Sequence, residues 1–160
     1  MKKPIIVIIF IAATIISPLA KANQNCTYLV EIQTSCAPSA ETTDHISLRF
    51  GDAAGSLITV KHLKNPKLVY DPSHGLKRHG SGYGGFIRCG IDMFEASGEC
   101  MKQSVCSLYL KRVGSDGWRP GWVKLFKQEK EGRAMPVSYM FYFRTFVPAN
   151  VWYGLNYCKP

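Results

Sequence analysis

Acidic side chains are scarce in this chain. Against 20 Lys and Arg there are 11 Asp and Glu in 160 residues, a formal net charge of +9. The carboxylates are scattered, and no motif pairs two of them for acid/base chemistry. The sequence has no G-x-S-x-G elbow, no H-E-x-x-H and no C-x-x-C, so the serine-hydrolase elbow, the zinc-protease helix and the zinc ribbon are excluded as motifs. Also missing is any apolar stripe of period 3.6 held over three turns, which removes a helical bundle. No apolar run reaches the ~20 residues that span a bilayer as a helix. The chain reads as non-enzymatic. The one enzymatic alternative is a hydrolase whose site is assembled only in three dimensions.

What is present begins with a leader. Lys2-Lys3, an apolar run over residues 5–16 and Ala20-Lys21-Ala22 form the three parts of a secretory signal. Cleavage after Ala22 is expected, leaving one domain over residues 23–160. Loss of Lys2, Lys3 and Lys21 takes three positive charges from the formal +9 and leaves +6. For a protein in the secretory pathway or cell wall, that excess points to anionic lipid headgroups, acidic wall polysaccharide or an acidic partner protein, and away from nucleic acid. Charge kept for solubility is the other reading. The chain is taken as a monomer.

All six cysteines, Cys26, Cys36, Cys89, Cys100, Cys106 and Cys158, lie beyond the leader. An even set in a secreted chain implies disulfides, and six cysteines allow 15 pairings. Asn25-Cys26-Thr27 is formally an N-glycosylation sequon at Asn25.

Strand signals dominate the rest. Alternating or β-branched segments cover residues 26–33, 45–50, 57–63, 91–96, 106–111, 122–126, 138–144 and 151–158, most of them separated by Gly, Pro, Asp or Asn. Short strands with turns between them imply an all-β antiparallel sandwich or barrel. Residues 64–85, rich in Gly, Pro, Ser, Lys and His, read as a long basic surface loop. Gly80-x-Gly82-x-x-Gly85 within it spells a dinucleotide fingerprint, but Phe86-Ile87-Arg88-Cys89 follows where a helix is required. His62, His74 and His79 fit no zinc spacing.

Residues 105–123 hold the most information. A strand breaks on Gly114-Ser115-Asp116-Gly117, a turn sequence, and two tryptophans follow, Trp118 beside the turn and Trp122 after Pro120-Gly121. A large aromatic at a turn is either anchored in a core or offered to a partner.

The ordered motifs resemble a known family. Residues 44–52 (DHISLRFGD), Gly85-Phe86-x-x-Cys89-x-x-Asp92-x-Phe94 and residues 108–123 resemble the PLAT, or lipoxygenase-homology, domain. Thr34-Ser35-Cys36, Gly98-Glu99-Cys100, Gly114-Ser115-Asp116-Gly117-Trp118 and Val151-Trp152-Tyr153-Gly154-x-Asn156-x-Cys158 are similar to the plant embryo-specific proteins of the ATS class. The similarity runs from Cys26 to Cys158, with residues 67–84 resembling an insertion.

The resemblance implies a sandwich of two four-stranded antiparallel sheets, braced by disulfides, and a non-catalytic module that binds membranes or proteins. A role in seed or embryo development follows from the family name. A first strand beside the last implies a Cys26–Cys158 bridge, with Cys36, Cys89, Cys100 and Cys106 unassigned. Trp122 takes the place of the tryptophan that starts the next strand, and is expected in the core. Trp118, with Arg119, is then either the lipid or partner contact or a lid packed over the sandwich end. Calcium is the one cofactor implied, with Asp44, Asp52 and Asp116 as candidate ligands. Val113 and Gly114 stand where the family usually has a His-Asp pair, and turn formation is the alternative role for these aspartates.

Overall fold

The computed structural model describes residues 25–64, 67–70, 85–127 and 137–159. The expected leader, its cleavage point, His74, His79, Gly80 and Gly82 lie outside the described residues. Nine strands form among the described residues: β1 (Asn25–Thr34), β2 (His45–Asp52), β3 (Leu57–Val60), β4 (Lys67–Tyr70), β5 (Ile91–Glu99), β6 (Val105–Val113), β7 (Pro120–Lys127), β8 (Ser138–Tyr142) and β9 (Trp152–Asn156). Among the described residues there is no helix.

Two antiparallel sheets face one another. One has the order β3-β2-β6-β9; the other is β5-β1-β7-β8 with β4 added outside β5. Among the described residues, that short strand is the one departure from the expected loop at residues 64–85. Lys67-Leu68-Val69-Tyr70 is rich in β-formers, and the outer edge of β5 offers it a ladder, with Lys67 opposite Met93 and Leu68 opposite Asp92.

Period-two alternation builds the core. Tyr28, Val30 and Ile32 of β1, Ile46, Leu48 and Phe50 of β2, Phe94 and Ala96 of β5, Leu108 and Leu110 of β6, and Val123 and Leu125 of β7 all turn inward. The Tyr28 and Phe50 rings meet edge to face across the layers, with centroids 5.2 Å apart. The Tyr28 hydroxyl accepts the Met101 amide at 2.9 Å, so a phenol is buried without losing its partner.

Trp118 takes the lid position, one of the two places expected of it, and Trp122 departs from its own. Trp118 is 0 % exposed, which overturns its reading as a lipid or partner contact. Its indole packs on Phe86 with centroids 4.8 Å apart, and Nε1 donates to Thr34 Oγ1 at 3.2 Å. Around it, Val147 N–H donates to the Trp118 carbonyl, Arg119 N–H to Ala40 and Ser35 N–H to Arg119. Trp118 thus closes the end of the sandwich. Trp122 is only half-buried, contrary to the core position expected of it. The reason is parity: Val123 and Leu125 take the inner face of β7, so Trp122, Lys124 and Phe126 take the outer one.

The Cys26–Cys158 bridge is also corrected. The first and last strands are not neighbours: β1 pairs with β5 and β7, while β9 pairs with β6 in the other sheet. The bridges are Cys26–Cys100, Cys36–Cys89 and Cys106–Cys158. Two of them bracket the β1–β5 ladder at its opposite ends, and the third ties β6 to the segment after β9.

Two outcomes follow. Trp118→Ala lowers unfolding stability by about 3–5 kcal/mol, and Trp122→Ala by about 1 kcal/mol, read from urea titrations of folded protein. Peptide mapping without reduction recovers the three pairs above; a peptide joining Cys26 to Cys158 contradicts the sheet assignment.

Candidate functional site

The turn after β6 gathers two of the three aspartates proposed for calcium. Asp44 precedes β2, Asp116 lies in the turn, and Arg112 ends the inward row of β6 between them. The Arg112 guanidinium, buried, reaches Asp44 Oδ2 at 2.5 Å through Nη1, and the same nitrogen donates to the carbonyls of Asp116 (2.5 Å) and Gly114 (3.2 Å). Its Nε donates to Val147 O at 3.1 Å. Asp44 Oδ2 also accepts the Asp116 amide, and Asp116 Oδ2 accepts the Thr43 amide, each at 3.0 Å. The cation at this turn is a guanidinium. Gly114 is required there: its φ is +147°, and a Cβ would collide with the Asp44 carboxylate.

Asp52, the third aspartate, sits at the far end of β2. Its carboxylate accepts the amides of Ser56 (2.8 Å), Lys102 (2.7 Å) and Gln103 (2.9 Å). Burial pushes this carboxyl up, but the backbone donors outweigh it and hold it below its usual range. Its geometry is that of a cap for two turns. Among the described residues no three His, Cys, Asp or Glu side chains cluster to hold a metal. The structure therefore does not bring Asp44, Asp52 and Asp116 together.

The burial of Asp92 and the pairing of His62 with His45 were not singled out from sequence. Asp92, on the inner face of β5 opposite Ile32, is fully buried, and neither carboxyl oxygen has a hydrogen-bond partner among the described residues. Burial alone pushes its pKa up to about 7. Its place in the alternation, inward with Phe94 and Ala96, was the available signal. His62 meets His45, Nδ1 of His45 lying 2.9 Å from Nε2 of His62, with the rings edge to face. Burial, then His45, then Lys64 lower the His62 pKa.

The exposed aromatic surface lies on the outer face of β7 and β8. Trp122 stands directly across from Tyr142, Lys124 from Met140, and Phe126 from Ser138. Tyr142 is 61 % and Met140 38 % exposed. The Lys124 ammonium sits 4.5 Å from the Phe126 ring centroid, a cation–π contact that keeps charge beside apolar surface. β8 is the edge of its sheet. Arg119, half-buried, donates from Nη2 to the Arg144 carbonyl just beyond β8 at 3.1 Å, so it borders the same edge. Asn25 is exposed at the start of β1. Gly85, last of the fingerprint glycines, leads into the Phe86–Thr42 bridge and then β5.

With this geometry in view, three comparisons bear on the chain. The family model for Embryo-specific protein 3 (ATS3) matches residues 13–158. Embryo-specific protein ATS3A of Arabidopsis thaliana is 40 % identical over 134 residues, 84 % of this chain and 63 % of that protein. ATS3B of the same plant is 34 % identical over 144 residues, 90 % of this chain and 64 % of that protein. The chain thus spans under two thirds of the length of these curated relatives. Among solved structures, the alpha toxin from Clostridium absonum superposes with a TM-score of 0.52 at 15 % identity, over 81 % of this chain and 31 % of the toxin. The Clostridium perfringens alpha toxin from an avian strain gives 0.52 at 13 % identity, over 84 % and 32 %. At such identities the likeness is one of fold alone.

Asp92 gives the folded chain a measurable pH signature. An unfolded Asp titrates near ~4, and the folded one at about 7. Between these values the folded chain keeps a proton that the unfolded chain has released. Stability therefore falls as pH rises through this window, by about 4 kcal/mol in all. Asp92→Asn removes that slope and is more stable than the parent at pH 8, measured by urea unfolding at pH 4.5 and 8; parallel profiles for the two proteins rule it out.

Proposed function

The chain belongs to the embryo-specific protein 3 (ATS3) family and carries a PLAT-like β-sandwich, and from that premise we propose that it is a secreted, non-catalytic, monomeric module that docks on lipid surfaces in seed or embryo tissue. The observation that carries this reading is the outer face of β7 and β8. There Trp122 and Tyr142 stand side by side with Met140, and Lys124 lies beside them. Indole and phenol rings suit the boundary between headgroup and acyl chain, and Lys suits anionic headgroups.

Secretion is supported by the leader read over residues 1–22 and by the three disulfides, which belong to an oxidising compartment. The non-catalytic reading is supported by the relatives, whose names indicate no reaction. Calcium is not required in this reading, because Arg112 already neutralises Asp44.

A second reading rests on a separate observation. β8 ends its sheet, so among the described residues its outer backbone groups pair with no strand. Such an edge takes an added strand from a partner protein, with Trp122 and Tyr142 gripping alternate side chains.

Sedimentation with vesicles separates the two. The mature protein is expected to pellet with phosphatidylcholine–phosphatidylserine vesicles, with or without calcium. The Trp122→Ala, Tyr142→Ala double variant loses roughly tenfold in partitioning, the equivalent of about 1.4 kcal/mol. Wild-type protein that stays in the supernatant with every vesicle ends the lipid reading.

A further inference from the structure

The outward face of the four-stranded sheet has a different chemistry, independent of the lipid reading. Its central strands present Ser47 and Arg49 from β2 and Ser107, Tyr109 and Lys111 from β6; β9 adds Trp152, Gly154 and Asn156. The single acid in these four strands is Asp52, buried and bound to three amides. The other sheet, by contrast, mixes Glu31 and Glu95 with Lys124 on its outer side. Positive charge is therefore sorted onto one face.

Arg49 is held there in an unusual way. Its guanidinium carbon lies 5.0 Å from the Tyr109 ring centroid and 4.7 Å from that of Trp152. No carboxylate among the described residues pairs with it. Two rings thus fix the flat cation in place while its outer N–H fork stays available for a planar anion. Gly154, directly opposite Tyr109, contributes no side chain, and a Cβ there would collide with the Leu108 carbonyl. The result is a shallow floor beside two aromatic rings, with Lys111 next to Trp152 across the ladder.

We propose that this face binds a linear uronic-acid polysaccharide, its carboxylates on Arg49 and Lys111 and its sugar rings against Tyr109 and Trp152. A carboxylate matches the guanidinium fork in two parallel hydrogen bonds. The C–H faces of a sugar match the negative face of an aromatic ring. A sheet face suits a polymer that runs across it, and four strands that present no acid outward suit one that is anionic throughout. Anionic lipid is the less favoured occupant, since Tyr109 and Trp152 lie against Arg49, and the exposed apolar side chains of this side, Leu57 at the start of β3 and Val113 at the end of β6, stand at opposite ends of the sheet.

Affinity electrophoresis of the disulfide-intact protein through gels containing polygalacturonate tests this. Wild type is expected to be retarded, with retardation weakening as salt is added. A fully methyl-esterified polymer, which keeps the sugar and loses the charge, retards it little. Arg49→Gln lowers affinity by roughly tenfold, Arg49→Lys less, and Trp152→Phe least, with near-ultraviolet circular dichroism showing that each variant is folded. The Trp122→Ala, Tyr142→Ala protein, altered on the other sheet, is retarded like wild type. Absence of retardation, equal retardation by the esterified polymer, or unchanged binding by Arg49→Gln overturns the proposal. Loss of phosphatidylserine-vesicle binding in Arg49→Gln, with polygalacturonate binding intact, assigns the face to lipid and overturns it equally.

Discussion

The Arg112 guanidinium joins three segments that lie outside the strands. It reaches Asp44 ahead of β2, the carbonyls of Gly114 and Asp116 in the turn after β6, and the Val147 carbonyl between β8 and β9. Its own carbonyl accepts the Asn150 amide. A buried cation is tolerable only when such partners surround it, so each segment is held where the charge needs it. Trp118 depends on that arrangement. Its carbonyl receives the Val147 amide, and its indole fills the space the converging segments enclose. The end of the sandwich is closed by one ion and one ring acting together.

The division of labour between the two sheets follows from charge and parity. Odd positions of β7 face inward and even ones outward, which exposes Trp122 and Lys124 on one side of the molecule. In β6 the even positions face inward, so Tyr109 and Lys111 look out from the other sheet. Two aromatic surfaces on opposite faces therefore differ in electrostatics. One is mixed in sign and carries an exposed Tyr142; the other is cationic, with its rings lying against Arg49.

Most of the architecture was legible because short β-strands announce themselves by alternation. The strands over residues 26–33, 45–50 and 91–96 sit where the pattern placed them. β4 was hidden, since four β-forming residues amid Gly, Pro and His carry little weight until a neighbouring edge is available to them. Trp122 was misassigned for a related reason. Alternation in Val123 and Leu125 already placed Trp122 outward, but the resemblance to a structural tryptophan outweighed it. The Cys26–Cys158 bridge failed because the resemblance implied a first strand beside the last, and β1 and β9 lie in different sheets. The Asp44–Asp116 proximity was anticipated in part, as both were placed near turns. The role of Arg112 was not, because an arginine inside an alternating strand gives no sign of what it will neutralise.

The placement of the bridges has a mechanical consequence. Tension entering at Cys26 passes through its sulfur to Cys100, along the short link to Cys106, and out through Cys158. Both sheets hang from that path as closed loops and carry no load. A pull that would unravel an unbridged sandwich strand by strand extends this one by at most the contour of the link, on the order of 20 Å. The domain behaves as a nearly inextensible bead on whatever it is tethered to.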